Sequence, residues 1–264
     1  MENKYIRLDQ LLVLKGLVES RTKAQLLIQT GSVAVNNVIV TKSSKRFFYK
    51  DKVELIDNVR YVSRAGYKLE GFMREHKIDT FGKIACDIGS STGGFVDYLL
   101  QNGIRKVYAV DVNIDQLHPK IAMDERVVKI EKNARLLTYD DVKDQLDIIT
   151  VDVSFISLEK ILPALEKLCL EKTKLIVLIK PQFETNKTRN GIVTNKKVHF
   201  EVLDKVLKSF AECNLYTEYL TFSKLPGSDG NIEFFALFSK KITEKNYTET
   251  DIIKIVDTAW EALK

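Results

Sequence analysis

The stretch Asp87-Ile-Gly-Ser-Ser-Thr-Gly-Gly-Phe95 decides the fold of this chain. It follows an apolar run at residues 83–88 that is typical of a strand, and it opens a segment at residues 94–102 that is typical of a helix. Glycines at such a junction let the backbone turn sharply and approach a ligand closely. Asp111 ends the next predicted strand, where a carboxylate can accept hydrogen bonds from the ribose of an adenosine group. The pattern predicts an α/β domain that holds a nucleotide-like cofactor.

Strand-like and helix-like segments alternate around this stretch. The apolar strand patterns cover residues 83–88, 106–111, 127–131, 146–152, 173–180, 215–222 and 232–238. The helical patterns cover residues 63–77, 94–102, 157–170, 197–213 and 245–264. Such alternation predicts a doubly wound, Rossmann-like sheet of seven strands that is parallel except for a closing antiparallel pair.

The glycine spacing leaves alternatives open. It is Gly-x-x-x-Gly-Gly, whereas dinucleotide folds use Gly-x-Gly-x-x-Gly, so a bound pyrophosphate is not specifically indicated. A nicotinamide dehydrogenase and a tight turn without a ligand are the competing interpretations of the loop.

Positive charge is concentrated at the start of the chain. Residues 1–60 contain 11 Lys and Arg against 6 Asp and Glu, which accounts for the whole formal net charge of +5. The other 204 residues contain 30 of each sign. This asymmetry indicates a polyanion-binding module attached to a neutral body, although a merely soluble basic domain has the same composition.

Residues 5–30 predict two short helices, the second capped by Ser20, and residues 32–40 and 52–56 predict a ribbon of strands. The blocks Arg7-Leu-Asp9, Ser20-Arg-Thr-Lys-Ala24 and Val33-Ala-Val-Asn36 resemble the small RNA-binding domain named after ribosomal protein S4. We therefore predict a small N-terminal α+β RNA-binding domain at residues 1–58, a linker at 59–62 and the α/β domain at 63–264. The resemblance places basic side chains against RNA, namely Arg7, Arg21, Lys23, Lys42, Lys45 and Arg46.

Two lysines and two carboxylates stand out in the α/β domain: Lys68, Asp152, Lys180 and Glu233. Asp152 and Lys180 each close a predicted parallel strand, the edge at which ligands bind in open α/β sheets. An ordinary surface ion pair would explain any one of these lysines alone. We expect the four together to gather around one pocket and to handle a proton.

The body of the chain resembles the FtsJ-type ribose 2′-O-methyltransferases, whose mark is a Lys-Asp-Lys-Glu tetrad. The sequences of its motifs are more similar to those of the TlyA family, historically labelled haemolysin A. That family joins a methyltransferase domain of this type to an N-terminal RNA-binding domain. The matching blocks are Ser63-Arg-Ala-Gly-Tyr-Lys-Leu69, Gly89-Ser-Ser-Thr-Gly-Gly-Phe95, Asn133-Ala-Arg135, Val151-Asp-Val-Ser-Phe-Ile-Ser-Leu158, Lys180-Pro-Gln-Phe-Glu184 and Gly230-Asn-Ile-Glu-Phe-Phe235.

The resemblance implies S-adenosylmethionine as cofactor and 2′-O-methylation of cytidine in ribosomal RNA, with free RNA or ribosomal subunits as partner. Lys180 would be the general base, Lys68 would lower the pKa of Lys180, Asp152 would position Lys180 and Glu233 would hold Lys68. The implied cofactor-binding residues are Asp87, Gly89, Ser90, Ser91, Thr92, Gly93, Gly94, Phe95, Asp111, Asn133, Ala134 and Asp152.

Two other functions remain open, a membrane-active haemolysin and a catalytically silent ribosome-binding module. No stretch approaches the roughly 18 apolar residues of a membrane helix, and the start of the sequence has no signal-peptide core. Three cysteines and three histidines show no metal-like spacing. We expect a cytoplasmic protein with reduced cysteines, without a bound metal and without a membrane partner. The sequence does not predict an oligomeric state.

Overall fold

The computed structural model describes residues 5–29, 32–36, 38–55, 60–227, 230–242 and 247–263. Contacts divide the chain after Tyr67, which gives a first unit at Met1–Tyr67 and a second unit at Lys68–Lys264. The boundary expected at residue 58 lies outside the described residues.

The first unit has two helices and short strands around its own core. In chain order these elements are β1 (Tyr5–Arg7), α1 (Leu8–Leu14), α2 (Arg21–Gln29), β2 (Val33–Val35), β3 (Val38–Ile39), β4 (Arg46–Phe48) and β5 (Val53–Leu55). Strands β3, β2 and β5 form one antiparallel sheet, and β1 pairs with β4 in a second ribbon. The side chains of Leu8, Leu11 and Leu12 pack against α2 residues in a closed apolar cluster.

In this unit the predicted helix cap is present, but two short strands were not predicted. The Ser20 hydroxyl accepts a hydrogen bond from the backbone N–H of Lys23, as expected of a helix cap. Strands β1 and β4 were missed, because three-residue strands in a basic segment leave no alternating pattern to detect.

The second unit contains a seven-stranded sheet with helices. Its elements are α3 (Arg64–Glu75, which begins in the first unit), β6 (Ile84–Ile88), α4 (Gly94–Gln101), β7 (Lys106–Asp111), α5 (Pro119–Ala122), β8 (Val127–Glu131), α6 (Tyr139–Val142), β9 (Ile148–Val151), α7 (Leu162–Leu168), β10 (Lys174–Ile179), α8 (Pro181–Glu184), α9 (Lys196–Glu212), β11 (Tyr216–Phe222), β12 (Phe234–Ser239) and α10 (Glu249–Leu263). The strand order is β11-β12-β10-β9-β6-β7-β8.

The sheet confirms the predicted α/β class. Strands β8, β7, β6, β9 and β10 are parallel, and β12 is antiparallel to both of its neighbours. The central strands β6 and β9 are buried along their whole length, as expected of strands covered on both faces. Because the chain order jumps from β8 to β9 across β6, the sheet has its switch point between the ends of β6 and β9.

The helix predicted at residues 157–170 is shorter and interrupted. A 3₁₀ turn at Leu158–Lys160 precedes α7, which starts at Leu162 with Pro163 in its first turn. Proline has no N–H to donate, so it is tolerated in a first turn and not within a continuous helix. The one-turn helices α5, α6 and α8 were not predicted, since four residues are too few to show helical periodicity.

Within the described part of the chain, no helix is both long and apolar enough to cross a membrane.

Candidate active site

The glycine loop brings the ends of β6 and β9 into close contact. Gly89 has a φ of +84°, and a Cβ at this position would lie 2.7 Å from the backbone oxygen of Asp152. A side chain at residue 89 is therefore excluded both by the backbone conformation and by space. The loop can follow this path only with glycine at its first turn.

A cavity of about 600 Å³ opens beside this turn. This volume is in the range of pockets that bind small organic ligands. Six predicted cofactor residues line the cavity: Gly89, Ser91, Asp111, Asn133, Ala134 and Asp152. Residues that were not predicted also line it: Val110, Val112, Gln116, Lys132, Arg135, Val153, Ser154, Phe155, Ile156 and Lys160.

The Asp111 carboxylate is held by backbone donors. Its Oδ2 accepts a hydrogen bond of 2.8 Å from Ser91 N, and its Oδ1 accepts one of 3.0 Å from Asn113 N. An ionised carboxylate has about four acceptor positions, so two remain for a ligand in the cavity. The side chain is thus fixed in orientation and still able to bind two hydroxyl groups.

The other residues of the loop do not line this cavity. Ser90, Gly93, Gly94 and Phe95 are buried, whereas Thr92 is exposed. Their assignment to cofactor binding stays a prediction.

Asp87 is also buried, and its Oδ1 accepts a hydrogen bond of 2.6 Å from Thr150 Oγ1. Burial raises the pKa of Asp87 to about 7, and the negative charges of Asp152 and Asp111 act in the same direction, against the hydrogen bonds from Thr150 and Ser90. The Asp87 carboxyl is therefore fixed to β9 by Thr150, and its pKa lies near neutral pH.

Lys68 and Glu233 form a buried ion pair. Lys68 lies on α3 and Glu233 directly precedes β12, and the distance from Lys68 Nζ to Glu233 Oε2 is 2.6 Å. Their side chains are 9% and 3% exposed. The other Glu233 oxygen, Oε1, accepts a longer hydrogen bond of 3.4 Å from Gln182 Nε2. Gln182 is two residues after Lys180, so this contact links the pair to the end of β10.

Lys180 and Asp152 form a second ion pair. Each residue directly follows its parallel strand, β10 or β9, and Lys180 Nζ lies 2.6 Å from Asp152 Oδ1. Lys180 Nζ also donates a hydrogen bond of 3.0 Å to Ser154 Oγ. Both lysine–carboxylate contacts join the residues that the sequence analysis had paired.

The two pairs influence each other electrostatically. Burial is the largest single influence on Lys180 and lowers its pKa, but attraction to Asp152 and then to Glu233, with the Asp152 contact itself, outweighs it. The net effect raises the pKa of Lys180 above its usual value of 10.5. This net rise is opposite to the net lowering expected from the sequence, because the negative charges of Asp152 and Glu233 outweigh the effect of burial.

Phe155 is the most exposed large apolar side chain of the site and was not predicted. It is 91% exposed, lines the cavity and has a φ of +61°. Its ring centroid is 4.9 Å from that of Phe183. A bulky residue in the left-handed region is unusual and costs about 1 to 3 kcal/mol. The sequence signal that could have indicated Phe155 is its position three residues after Asp152, at the end of β9.

Two basic residues of the first unit contact a buried acid. Asp9 accepts hydrogen bonds of 3.0 Å from Arg7, Arg21 and Gln25. Burial alone would raise the pKa of Asp9, but these hydrogen bonds outweigh it and hold the pKa far below the usual range. Two of the predicted RNA-binding arginines are therefore fixed by a structural carboxylate and remain partly exposed.

The other predicted RNA-binding side chains lie elsewhere on this unit. Lys42, Lys45 and Arg46 are exposed, and Lys23 is partly exposed. Arg46 Nη1 donates a hydrogen bond of 3.1 Å to the Tyr5 backbone oxygen.

Two family models match this chain. The one described as FtsJ-like methyltransferase matches residues 61–240, and the one described as S4 domain matches residues 6–47. The first covers the seven-stranded sheet and both ion pairs, and the second covers helices α1 and α2 and strands β2 and β3.

Proteins related over most of the chain are known. YqxC of Bacillus subtilis is 40% identical over 100% of this chain and 97% of its own length. The 16S/23S rRNA (cytidine-2′-O)-methyltransferase TlyA of Mycobacterium tuberculosis is 34% identical over 87% of this chain and 88% of its own length. A solved structure from Streptococcus thermophilus, named as a hemolysin, is 35% identical, with a TM-score of 0.75 over 98% of this chain and 96% of that one.

Proposed function

Because the chain belongs to the FtsJ-like methyltransferase family, and within it to the TlyA group, we propose that it methylates the 2′-hydroxyl of a cytidine ribose in ribosomal RNA. The observation that carries this proposal is that Asp152 both lines the cavity and holds Lys180. The Asp152 carboxylate thereby connects the cavity, where a methyl donor can bind, with Lys180, which can exchange a proton.

The residues around the cavity fit S-adenosylmethionine. Gly89 allows close approach at a point where a Cβ would meet Asp152, Asp111 keeps free acceptor positions for ribose hydroxyls, and Asp152 adds a negative charge. S-adenosylmethionine bound here would supply a methyl group on a positively charged sulfur. Three other predicted cofactor-binding residues, Ser91, Asn133 and Ala134, also line the cavity.

Lys180 takes up the proton of the ribose hydroxyl. That hydroxyl is a very weak acid, so methylation of its oxygen benefits from a base at the correct position. An ammonium group has no lone pair, so Lys180 must be uncharged when it accepts the proton. Since its pKa is raised in the free protein, only a small fraction of Lys180 is uncharged at neutral pH, and the reaction should accelerate as the pH rises.

The second ion pair, Lys68 with Glu233, assists the proton transfer to Lys180. Lys68 neutralises the buried Glu233 carboxylate and offers ammonium protons that can orient the ribose hydroxyl. Asp152 positions Lys180 and favours a cationic ligand in the cavity. Holding the reacting oxygen in one orientation contributes to the rate in addition to the proton transfer.

RNA recognition is divided between the two parts of the chain, which we place at residues 1–58 and 63–264. Exposed cations of the S4 domain bind phosphates, and we assign this role to Arg7, Arg21, Lys23, Lys42, Lys45 and Arg46. In the second part Phe155 offers an exposed ring beside the cavity, suited to stacking on an unpaired base.

The test is the nucleoside composition of ribosomal RNA from cells with and without the protein. Mass spectrometry should detect 2′-O-methylcytidine that is absent from cells lacking the protein and that is restored by the wild-type chain. Lys180→Ala should not restore it. Lys208→Ala is the matched control, because Lys208 is an exposed lysine paired with Asp204 on α9. Identical nucleoside profiles in all five cell lines (the parent, the line lacking the protein, and that line carrying the wild-type, Lys180→Ala or Lys208→Ala chain) would contradict the proposal.

The name hemolysin of a relative is the observation that favours a second function, membrane lysis. Purified protein would then release dye from lipid vesicles without S-adenosylmethionine, and the Lys180→Ala variant would release it equally well. A catalytically silent ribosome-binding module would instead show no binding of S-adenosylmethionine in calorimetry.

A further inference from the structure

Lys180 has two acceptors on the loop that follows β9. The amine nitrogen is 2.6 Å from Asp152 Oδ1 and 3.0 Å from Ser154 Oγ. Both acceptors line the cavity, and only Val153 separates them in the chain. The negatively charged acceptor has a clear part in the proposed chemistry, whereas the hydroxyl has none so far.

The number of acceptors matters because an uncharged amine is tetrahedral, with two N–H groups and one lone pair on nitrogen. With a carboxylate as the only partner, the amine can still rotate about its Cε–Nζ bond. The nitrogen lone pair can then point in several directions. A second acceptor at a fixed position engages the second N–H and leaves one direction for the lone pair. Asp152 Oδ1 contacts Lys180 in an ion pair of 2.6 Å, and Ser154 Oγ accepts a hydrogen bond of 3.0 Å, so the two oxygens together hold the amine from two directions.

We propose that Ser154 is a positioning residue for Lys180, whose hydroxyl, together with Asp152, sets the direction from which the amine accepts the ribose proton. This inference rests on the proposed function. In the step, the O–H bond of the ribose breaks and an N–H bond forms on Lys180. The ribose oxygen forms a bond to the methyl carbon as the S–C bond of the methyl donor breaks, and the electron pair of that bond stays on sulfur, which leaves as a neutral thioether. The charge that Lys180 gains remains next to Asp152, with Glu233 and its partner Lys68 as the other charged groups of the cluster.

A structural role for the Ser154 hydroxyl finds no support in its contacts. Among the residues that the structure describes, its only hydrogen bond is the one to Lys180. The side chain is exposed, so its removal creates no cavity. By contrast, Ser157 in the same segment donates a hydrogen bond of 2.7 Å to Glu184, which fastens the loop to α8. Ser154→Ala should consequently fold like the wild-type protein.

The test compares Ser154→Ala and Ser154→Thr with the wild-type chain in single-turnover methylation of ribosomal RNA. Ser154→Ala should lower the maximal rate about tenfold, the effect of losing one hydrogen bond to a charged group. The dissociation constant for S-adenosylmethionine, measured by calorimetry, and the melting temperature should stay unchanged. Threonine keeps the hydroxyl, so Ser154→Thr should recover most of the rate.

Three results would overturn the inference. One is a Ser154→Ala enzyme as fast as the wild type, and another is an equal loss of rate in the threonine variant. The third is a loss that appears only as weaker binding of S-adenosylmethionine or RNA, which would make Ser154 a ligand contact. An inactive wild-type chain would overturn the proposed function together with this inference, whereas an active wild type with any of the three results would overturn this inference alone.

Discussion

The ammonium nitrogen of Lys68 lies 2.6 Å from Glu233 Oε2, although 165 positions separate the two residues in the chain. Both side chains are buried, and Glu233 is also the second most important attractive charge for Lys180, after Asp152. This relationship makes the four charged side chains one electrostatic unit. It also means that a change at Glu233 should affect stability and chemistry together.

Replacing Glu233 by Gln should destabilise the protein. The change leaves the Lys68 ammonium buried without a counter-charge, which costs about 3 to 5 kcal/mol of the free energy of unfolding. Urea unfolding measures this loss. The additional change Lys68→Met removes the unpaired charge and should recover much of the stability without restoring methylation. Asp204→Asn, in the exposed pair with Lys208, is the control and should change stability by less than about 1 kcal/mol. Equal effects at the two sites would show that Glu233 is not buried as described.

A methyl group at Gly227 should disturb the same carboxylate. A Cβ on Gly227 would lie 2.5 Å from Glu233 Oε1, so the carboxylate must shift. A displacement of this size in a catalytic cluster can reduce the rate by up to about a hundredfold. We expect Gly227→Ala to lose between tenfold and a hundredfold in single-turnover rate. The control is Gly71→Ala on α3, where a Cβ would have no neighbour within 4 Å. Wild-type activity in Gly227→Ala would place Glu233 outside the reacting cluster.

Asp87 should make stability depend on pH in an unusual direction. Its pKa is raised to about 7 in the folded protein, from 3.8 in the unfolded chain, so the folded state binds the proton more tightly. The stabilisation is complete below about pH 4 and is lost as the pH rises to about 7, a difference of about 4 kcal/mol. Asp87→Asn can still accept the hydrogen bond from Thr150 and lacks this dependence.

Urea unfolding at pH 5, 6 and 8 gives the free energy of unfolding of the wild type and of Asp87→Asn as a function of pH. The wild type should lose stability relative to Asp87→Asn across this range. Parallel curves would mean that Asp87 keeps an ordinary pKa.

The rate of methylation should rise with pH because Lys180 must lose its proton first. Its pKa is raised above 10.5 in the free protein, so the uncharged fraction grows about tenfold for each pH unit between pH 6 and pH 9. Single-turnover rates should follow a slope of about one over this range. A rate that is level between pH 7 and pH 9 would argue that Lys180 orients the hydroxyl and does not accept its proton.

The sequence was sufficient for the sheet and for the ends of its strands. Buried parallel strands are nearly continuous apolar runs, so β6, β7, β9 and β10 were recognisable, and Asp152 and Lys180 follow directly from where two of them end. The antiparallel β12 and the α/β class were predicted from the same patterns.

The cavity wall was only partly predictable. Of its sixteen lining residues only Val110 and Asp111 lie in a strand. The others lie in loops and 3₁₀ turns whose path depends on tertiary contacts, so residues such as Gln116, Lys132 and Lys160 carry no local signal. The pKa of Lys180 was assigned the wrong direction, because the outcome depends on which opposite charges lie nearest, and sequence spacing does not contain those distances. The left-handed backbone of Phe155 was equally invisible, since phenylalanine rarely adopts it.

As the proposed general base, Lys180 should serve the chemical step and not the binding of ligands. The most direct measurement is single-turnover methylation of ribosomal RNA by Lys180→Ala, with S-adenosylmethionine affinity determined by calorimetry on the same preparation. We expect a rate lower by about 10² to 10⁴, typical of a lost general base, with an affinity within about threefold of the wild type. A Lys180→Ala protein that methylates at the wild-type rate would contradict this expectation.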